Sequence, residues 1–317
     1  MSNNIMWGYL IHLGFNFWQE YRETPDRYGD MTDKSAGKEL ICDKNTWDET
    51  TGLLAARGGN MLVIDLGEGV KYNSHPELAV KGSWEPETLR AEIERLRSMG
   101  ITPIPKMNFS TSHDEWLGPY SRMVSTPTYY QVCRDLLEEV IEIFDNPPLF
   151  HLGMDEETYG HQALYAYAAV RNGDLWWQDL YRSIDILEKH NVRPWVWSDY
   201  IWSHPEIFVK KMPKTVLQSN WYYDVFFDAK SGSPDEAIVR AYDLLDKHGY
   251  DQIPTGGLWS RADSMEQTVR YCKNVVASDR LKGFLQTSWK ATTPKFRYLH
   301  LAAVDLLGTA RESFDQQ

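Results

Sequence analysis

The feature that most constrains this chain is an alternation that runs from one end to the other. Short apolar runs recur at residues 7–13, 61–66, 102–107, 149–153, 193–197, 215–219, 252–259 and 283–287. Between them lie stretches with helical spacing, over residues 46–57, 86–100, 128–144, 159–171, 176–190, 234–248, 264–276 and 296–307. Leu89, Ile93 and Leu96 share one helical face, as do Val132, Leu136, Val140 and Ile143, and Ile238, Ala241 and Leu245. Gly58-Gly59, Gly100, Gly249 and the turn Asn146-Pro147-Pro148 stop these stretches, and Gly256-Gly257 is expected to interrupt the seventh apolar run. Near-continuous apolar strands alternating with helices predict a parallel sheet covered on its faces. Eight such units predict an α/β chain folded as a single (β/α)8 TIM barrel over residues 1–317, a fold that takes about 250 residues. An open doubly wound sheet would carry a glycine-rich phosphate turn after its first strand. Gly14-Phe15-Asn16-Phe17 stands there instead.

Composition narrows the partners. The formal charge is −12, with no basic cluster, so a nucleic-acid partner is not expected, since phosphate binding needs concentrated Lys and Arg. No run of about 18 apolar residues predicts a membrane span. Residues 1–4 lack a charged region followed by an apolar stretch, so no secretory leader is expected, which favours a cytoplasmic protein. The three cysteines, Cys42, Cys133 and Cys272, form no CxxC pair, and neither HxH nor HExxH occurs, so no metal or other cofactor is expected. The unusual count is 13 Trp and 18 Tyr. Most belong in the core, but flat rings also make platforms for sugars.

Active sites of this barrel lie at the C-terminal ends of the strands, so the residues after each run matter most. They include His12 and Asn16, then Asp65 and Glu68, then Asn108, His113, Asp114 and Trp116. Asp155, Glu156 and Glu157 follow the fourth run, and Asp199 and Trp202 the fifth. Asn220, Trp221, Tyr222, Tyr223 and Asp224 follow the sixth, Trp259 and Arg261 the seventh, Trp289 and Lys290 the eighth. Carboxylates and Trp on one rim suit glycosidic bond cleavage: an acid protonates the leaving oxygen, negative charge supports the sugar cation, and rings hold the sugar. Asp65 and Asp199 also stand where a helix N-cap would, and Glu157 is expected to point away from Glu156 as a structural or solvated residue.

The segment His151-Leu152-Gly153-Met154-Asp155-Glu156 resembles the HxGGDE motif of family 20 glycoside hydrolases, the β-N-acetylhexosaminidases. Residues 100–105 with His113, Trp197-Ser198-Asp199, and Trp289 are similar to that family's segments after strands three, five and eight, so the likeness covers roughly residues 83–290. The resemblance implies a retaining exo-glycosidase acting on terminal N-acetylhexosamine, in which the sugar's own acetamido oxygen attacks. Asp155 would orient and stabilise that group, and Glu156 would act as acid and then base. Tyr222 or Tyr223 would hydrogen-bond the acetamido oxygen. His113, His151, Trp197, Asp199, Trp221, Trp259 and Trp289 would complete the carbohydrate pocket. The chain departs from the pattern at Met154, which replaces a glycine, at Ala291, which replaces an acid, and at Pro105-Lys106-Met107-Asn108, where the family carries acids. The family's strand-one arginine has no counterpart in residues 7–16. Two other readings stand beside this one: a glycosidase of another specificity that pairs Glu156 with Asp199 or Asp65, and a carbohydrate-binding barrel without turnover.

Overall fold

The computed structural model describes residues 5–17, 36–163, 165–229 and 232–316. Eight parallel strands are present: β1 (Met6–His12), β2 (Met61–Asp65), β3 (Thr102–Lys106), β4 (Leu149–His151), β5 (Arg193–Trp197), β6 (Leu217–Ser219), β7 (Thr255–Gly257) and β8 (Gly283–Thr287). They pair in the order β6-β5-β4-β3-β2-β1-β8-β7. The bridges Gln218↔Gln252 and Trp221↔Thr255 join β6 to β7 and close the ring. The fold is the (β/α)8 barrel that the alternation predicts.

Among the described residues ten α-helices accompany the strands: α1 (Lys44–Ala56), α2 (Pro86–Ser98), α3 (Pro127–Ile143), α4 (Tyr159–Gln162), α5 (Asp174–Lys189), α6 (Tyr200–Ser203), α7 (Pro205–Lys211), α8 (Glu236–Lys247), α9 (Ser264–Val275) and α10 (Arg297–Gln316). Local chemistry sets their ends. Asp43 accepts from the Thr46 amide to start α1, and Thr126 accepts from the Tyr129 amide, with Pro127 in the first turn, to start α3. Among the described residues no helix is long and apolar enough to cross a membrane.

Three expectations need correction. Helix was expected over residues 159–171, but among the described residues of that stretch only Tyr159–Gln162 is helical. The chain beyond it is drawn inward by Arg171, which donates to Glu157 and to the Phe109 carbonyl. No helix was expected between β5 and β6, yet α6 and α7 fill that connection. Gly256 and Gly257 were read as interrupting the seventh strand, but they lie within β7. They are small for a reason: a Cβ on Gly256 would meet Met265 at 2.9 Å, and one on Gly257 would meet the Tyr223 ring at 2.6 Å.

The two-residue period of a strand sorts the side chains. Leu10, Val63, Ile104, Leu149, Trp195, Leu217, Ile253 and Leu285 pack together on the axis. One step further along sit His12, Asp65, Lys106 and His151, all buried. Lys106 donates to Asp65 at 2.5 Å, with both side chains at most 1% exposed. A buried pair of this kind is costly to break from one side, because the survivor keeps its charge without its partner. We therefore expect Asp65→Ala to destabilise the fold by about 3–5 kcal/mol in urea unfolding. The double change Asp65→Leu with Lys106→Met should recover most of the loss, and a double variant as unstable as the single one would contradict this account.

Candidate active site

The site grows from the strand period continued past the ends of β3, β4, β5, β6 and β8. Beyond Lys106, the next inward position is Asn108; beyond His151 come Gly153 and Asp155; beyond Trp197 comes Asp199. Asn108 donates to Asp155 Oδ1 at 2.8 Å, and its own oxygen accepts from the Ser110 and Met154 amides. Ser110 and Ser112 donate to the carbonyls of Asp155 and Glu156, each at 2.5 Å. The β3 loop thus cradles the β4 loop. Asn108 was expected on this rim but without a role, and strand parity points it inward, whereas Ser110 and Ser112 were not among the expected residues.

The β4 loop is tightly bent. Gly153, Met154 and Glu156 have φ of 72°, 72° and 54°. A Cβ on Gly153 would lie 2.1 Å from Asn108 Oδ1, so glycine is required there. Met154 occupies the left-handed region without that freedom, at a cost of order 1–3 kcal/mol. Glu157 turns away, as expected, into a buried ion pair with Arg171, which anchors the loop from behind.

His113 reaches both acids. Its Nε2 lies 3.2 Å from Asp155 Oδ2 and 3.3 Å from Glu156 Oε2. Burial opposes its charge, but Asp155 and Glu156 outweigh burial and raise the imidazole to about 10. Burial would likewise push Asp155 up, yet His113, Lys106 and Asn108 hold it well below the usual carboxylate range. At neutral pH the pair is imidazolium and carboxylate. Asp199 behaves oppositely. Burial first, then the charges of Asp155 and Glu156, push it up to about 8. Its Oδ2 accepts from the Glu156 amide at 2.8 Å, and it makes no cap bond to α6. Glu156 itself is about half exposed, with 54% of its side chain in solvent.

Aromatic rings surround this group. Trp289 lies 5.8 Å from Trp197 and 6.5 Å from Tyr223, and Tyr223 stacks on Trp221 at 5.1 Å. His151 is buried against Trp197 at 4.3 Å, and burial with the Lys106 charge keeps it neutral. Its Nδ1 accepts from the Gly153 amide, so it supports the loop from below. Tyr222 goes elsewhere: it points to the helix layer and donates to Asp235 at 2.9 Å. Trp259 stands at the rim, 46% exposed. Asp65 lies deeper, in ion pairing with Lys106, and Glu68 accepts from the amides of Phe15 and Asn16 rather than facing the rim.

His113, Asp155 and Glu156 also have the mutual spacing of a metal triad, within 4.8 Å, the group with that spacing among the described residues. Here a proton on His113 joins the two acids, and a metal ion would have to displace it.

No family model matches the chain. It is 28% identical over 196 residues to a Formosa agariphila protein named "Putative beta-glucuronidase", covering 59% of this chain and 14% of that protein. Among solved structures it resembles a Flavobacterium johnsoniae chitobiase, with TM-score 0.64, 17% identity, and coverage of 87% of this chain and 48% of that one. A β-N-acetylhexosaminidase from Bacteroides fragilis gives TM-score 0.63 at 13% identity, over 95% and 65% of the two chains. An exo-β-N-acetylglucosaminidase from Vibrio harveyi, in complex with N-acetylglucosamine, gives 0.59 at 15%, over 98% and 57%. The chain thus spans about half to two thirds of these structures and a small part of the curated relative. At these identities the likeness establishes the shared barrel.

Because the His113 pKa is raised from 6.5 to about 10, its contribution to stability is complete below about 6.5 and is lost as pH rises through 10. Asp155, whose pKa is depressed, contributes above its ordinary 3.8 and fails only in stronger acid. We expect an alkaline loss of stability near pH 10 that is absent in His113→Gln. Equal alkaline slopes for the two proteins in urea titrations would refute the pairing.

Proposed function

We propose that this protein is a retaining exo-glycoside hydrolase that removes terminal N-acetylhexosamine by substrate-assisted catalysis. The observation that carries the reading is Asp155 and Glu156 side by side, both in reach of His113 and close enough to Tyr223 for their charges to act on its hydroxyl. The likeness in fold to a chitobiase, a β-N-acetylhexosaminidase and an exo-β-N-acetylglucosaminidase supports it.

The division of labour follows from the chemistry of each group. Asp155 is ionised and acceptor-only, so it takes a hydrogen bond from the acetamido N–H. Its charge stabilises the positive ring that forms when the acetamido oxygen attacks the anomeric carbon. Burial keeps the Tyr223 hydroxyl protonated, with its pKa well above the usual value, so it can donate to the acetamido oxygen. Glu156 takes up a proton from the His113 imidazolium 3.3 Å away and passes it to the leaving oxygen as the glycosidic bond breaks. It then takes a proton from the water that attacks the anomeric carbon, which regenerates the acid and retains the configuration. The exposure of Glu156 suits both tasks. A neutral Asp199 is a poor nucleophile near pH 7, which weighs against a two-carboxylate scheme. The glucuronidase name of the curated relative favours that scheme and makes glucuronides a necessary control.

Glu156→Gln should lower turnover of 4-nitrophenyl N-acetyl-β-D-glucosaminide by about 10²–10⁴-fold, the usual worth of a general acid. Asp155→Asn should do comparable damage, and plain glucosides and glucuronides should not be cleaved. Release from the plain sugars at rates similar to the N-acetyl sugar would overturn substrate assistance. Full activity in Glu156→Gln would overturn the site.

A further inference from the structure

The loops after β7 and β8 hold a cation that the scheme above does not use. Lys290 directly follows Trp289, whose φ of 50° turns the chain at the rim. The Lys290 ammonium lies 5.0 Å from the centre of the Trp259 ring and 5.4 Å from that of Phe296. Ring faces attract a cation and fix its place, and Lys290 is partly buried, unlike a lysine that waves in solvent. No carboxylate among the described residues pairs with it, whereas neighbouring Arg261 is matched by Asp263. Lys295 packs on the same Phe296 ring at 5.0 Å. All this occurs on a chain of net charge −12, whose overall field repels anions. A fixed cation beside an exposed Trp, one residue from the Trp289 wall, matches a ring-shaped ligand that carries a negative group.

We propose that Lys290 binds an anionic substituent, carboxylate or sulfate, on the saccharide, so that acidic glycans are the substrates of this site. The inference rests on the hydrolase reading and names its substrate class. The anion can sit on the sugar that is released or on the sugar it leaves, because Trp259 and Lys290 lie in the loops after β7 and β8, at the same end of the barrel as the acids.

The test compares three substrates with wild type and Lys290→Gln: neutral 4-nitrophenyl N-acetyl-β-D-glucosaminide, its 6-sulfate, and N-acetylglucosamine β-linked to glucuronic acid. Wild type should prefer at least one anionic substrate by roughly tenfold in kcat/KM, the size of a well-placed charged hydrogen bond. The sulfate arm winning places the anion on the released sugar, and the disaccharide arm winning places it on the leaving sugar. Lys290→Gln should erase the preference mainly through KM, and Lys290→Glu should reverse it. About 1 M NaCl, where the screening length falls to about 3 Å, should shrink it in wild type. No anionic preference in wild type, or equal losses on neutral and anionic substrates in Lys290→Gln, overturns the proposal. If wild type cleaves none of the three, the hydrolase reading fails. Calorimetric binding of the neutral and 6-sulfated N-acetylglucosamine to Glu156→Gln, with and without Lys290→Gln, then decides the role of Lys290.

Discussion

Parallel strands that close on themselves turn every second side chain toward one axis, and the whole site inherits that constraint. The lower positions are apolar and fill the barrel with Leu10, Val63, Ile104 and Leu285. The next positions are charged or polar, and beyond the strand ends the same phase delivers Asn108, Asp155, Asp199 and Trp289 to one place. A one-residue slip in any of these strands would send its functional side chain to the helix layer. Tyr222 and Tyr223 illustrate the rule: adjacent in sequence just past β6, they point to opposite sides, one bonded to Asp235 and the other stacked on Trp221.

Charge is layered along the same axis. Lys106 and Asp65 neutralise each other below, in surroundings too dry to tolerate either alone. Above them His113 carries a proton between Asp155 and Glu156, and Asp199 stays neutral because burial disfavours its charge and the neighbouring carboxylates would repel it. Two neighbouring aspartates are thereby pushed to opposite protonation states by what surrounds them. Such separation is what a site needs if one group is to stabilise positive charge while another avoids competing for it.

The bent β4 loop shows where stability is spent. Met154 and Glu156 hold left-handed backbone that few non-glycine residues adopt. The loop keeps this shape because it is held on every side: by Asn108, Ser110 and Ser112 from the β3 loop, by Asp199 through the Glu156 amide, and by Arg171 through Glu157. These partners come from distant parts of the chain, so the bend is a product of assembly.

Much of the fold was legible in the alternation of apolar runs and helical spacing, since periods of two and of 3.6 residues are local properties that follow from backbone geometry. β5 and β8 begin and end where the apolar runs do, and the His151-to-Glu156 segment stands out by its own residue order. Where the sequence misled, the cause was through-space. Helical spacing over residues 159–171 yielded to the pull of Arg171 on Glu157, and the β7 glycines, which look like breakers, are there to let Tyr223 lie close. The sequence by itself determined which side chains could face the axis and that acids and Trp would crowd one rim. Only the tertiary structure decided which acid is ionised and which tyrosine serves the pocket. It also decided that one imidazole spans both carboxylates. Those outcomes depend on distances between loops more than forty residues apart in sequence, such as the 3.2 Å from His113 to Asp155, and no local pattern encodes them.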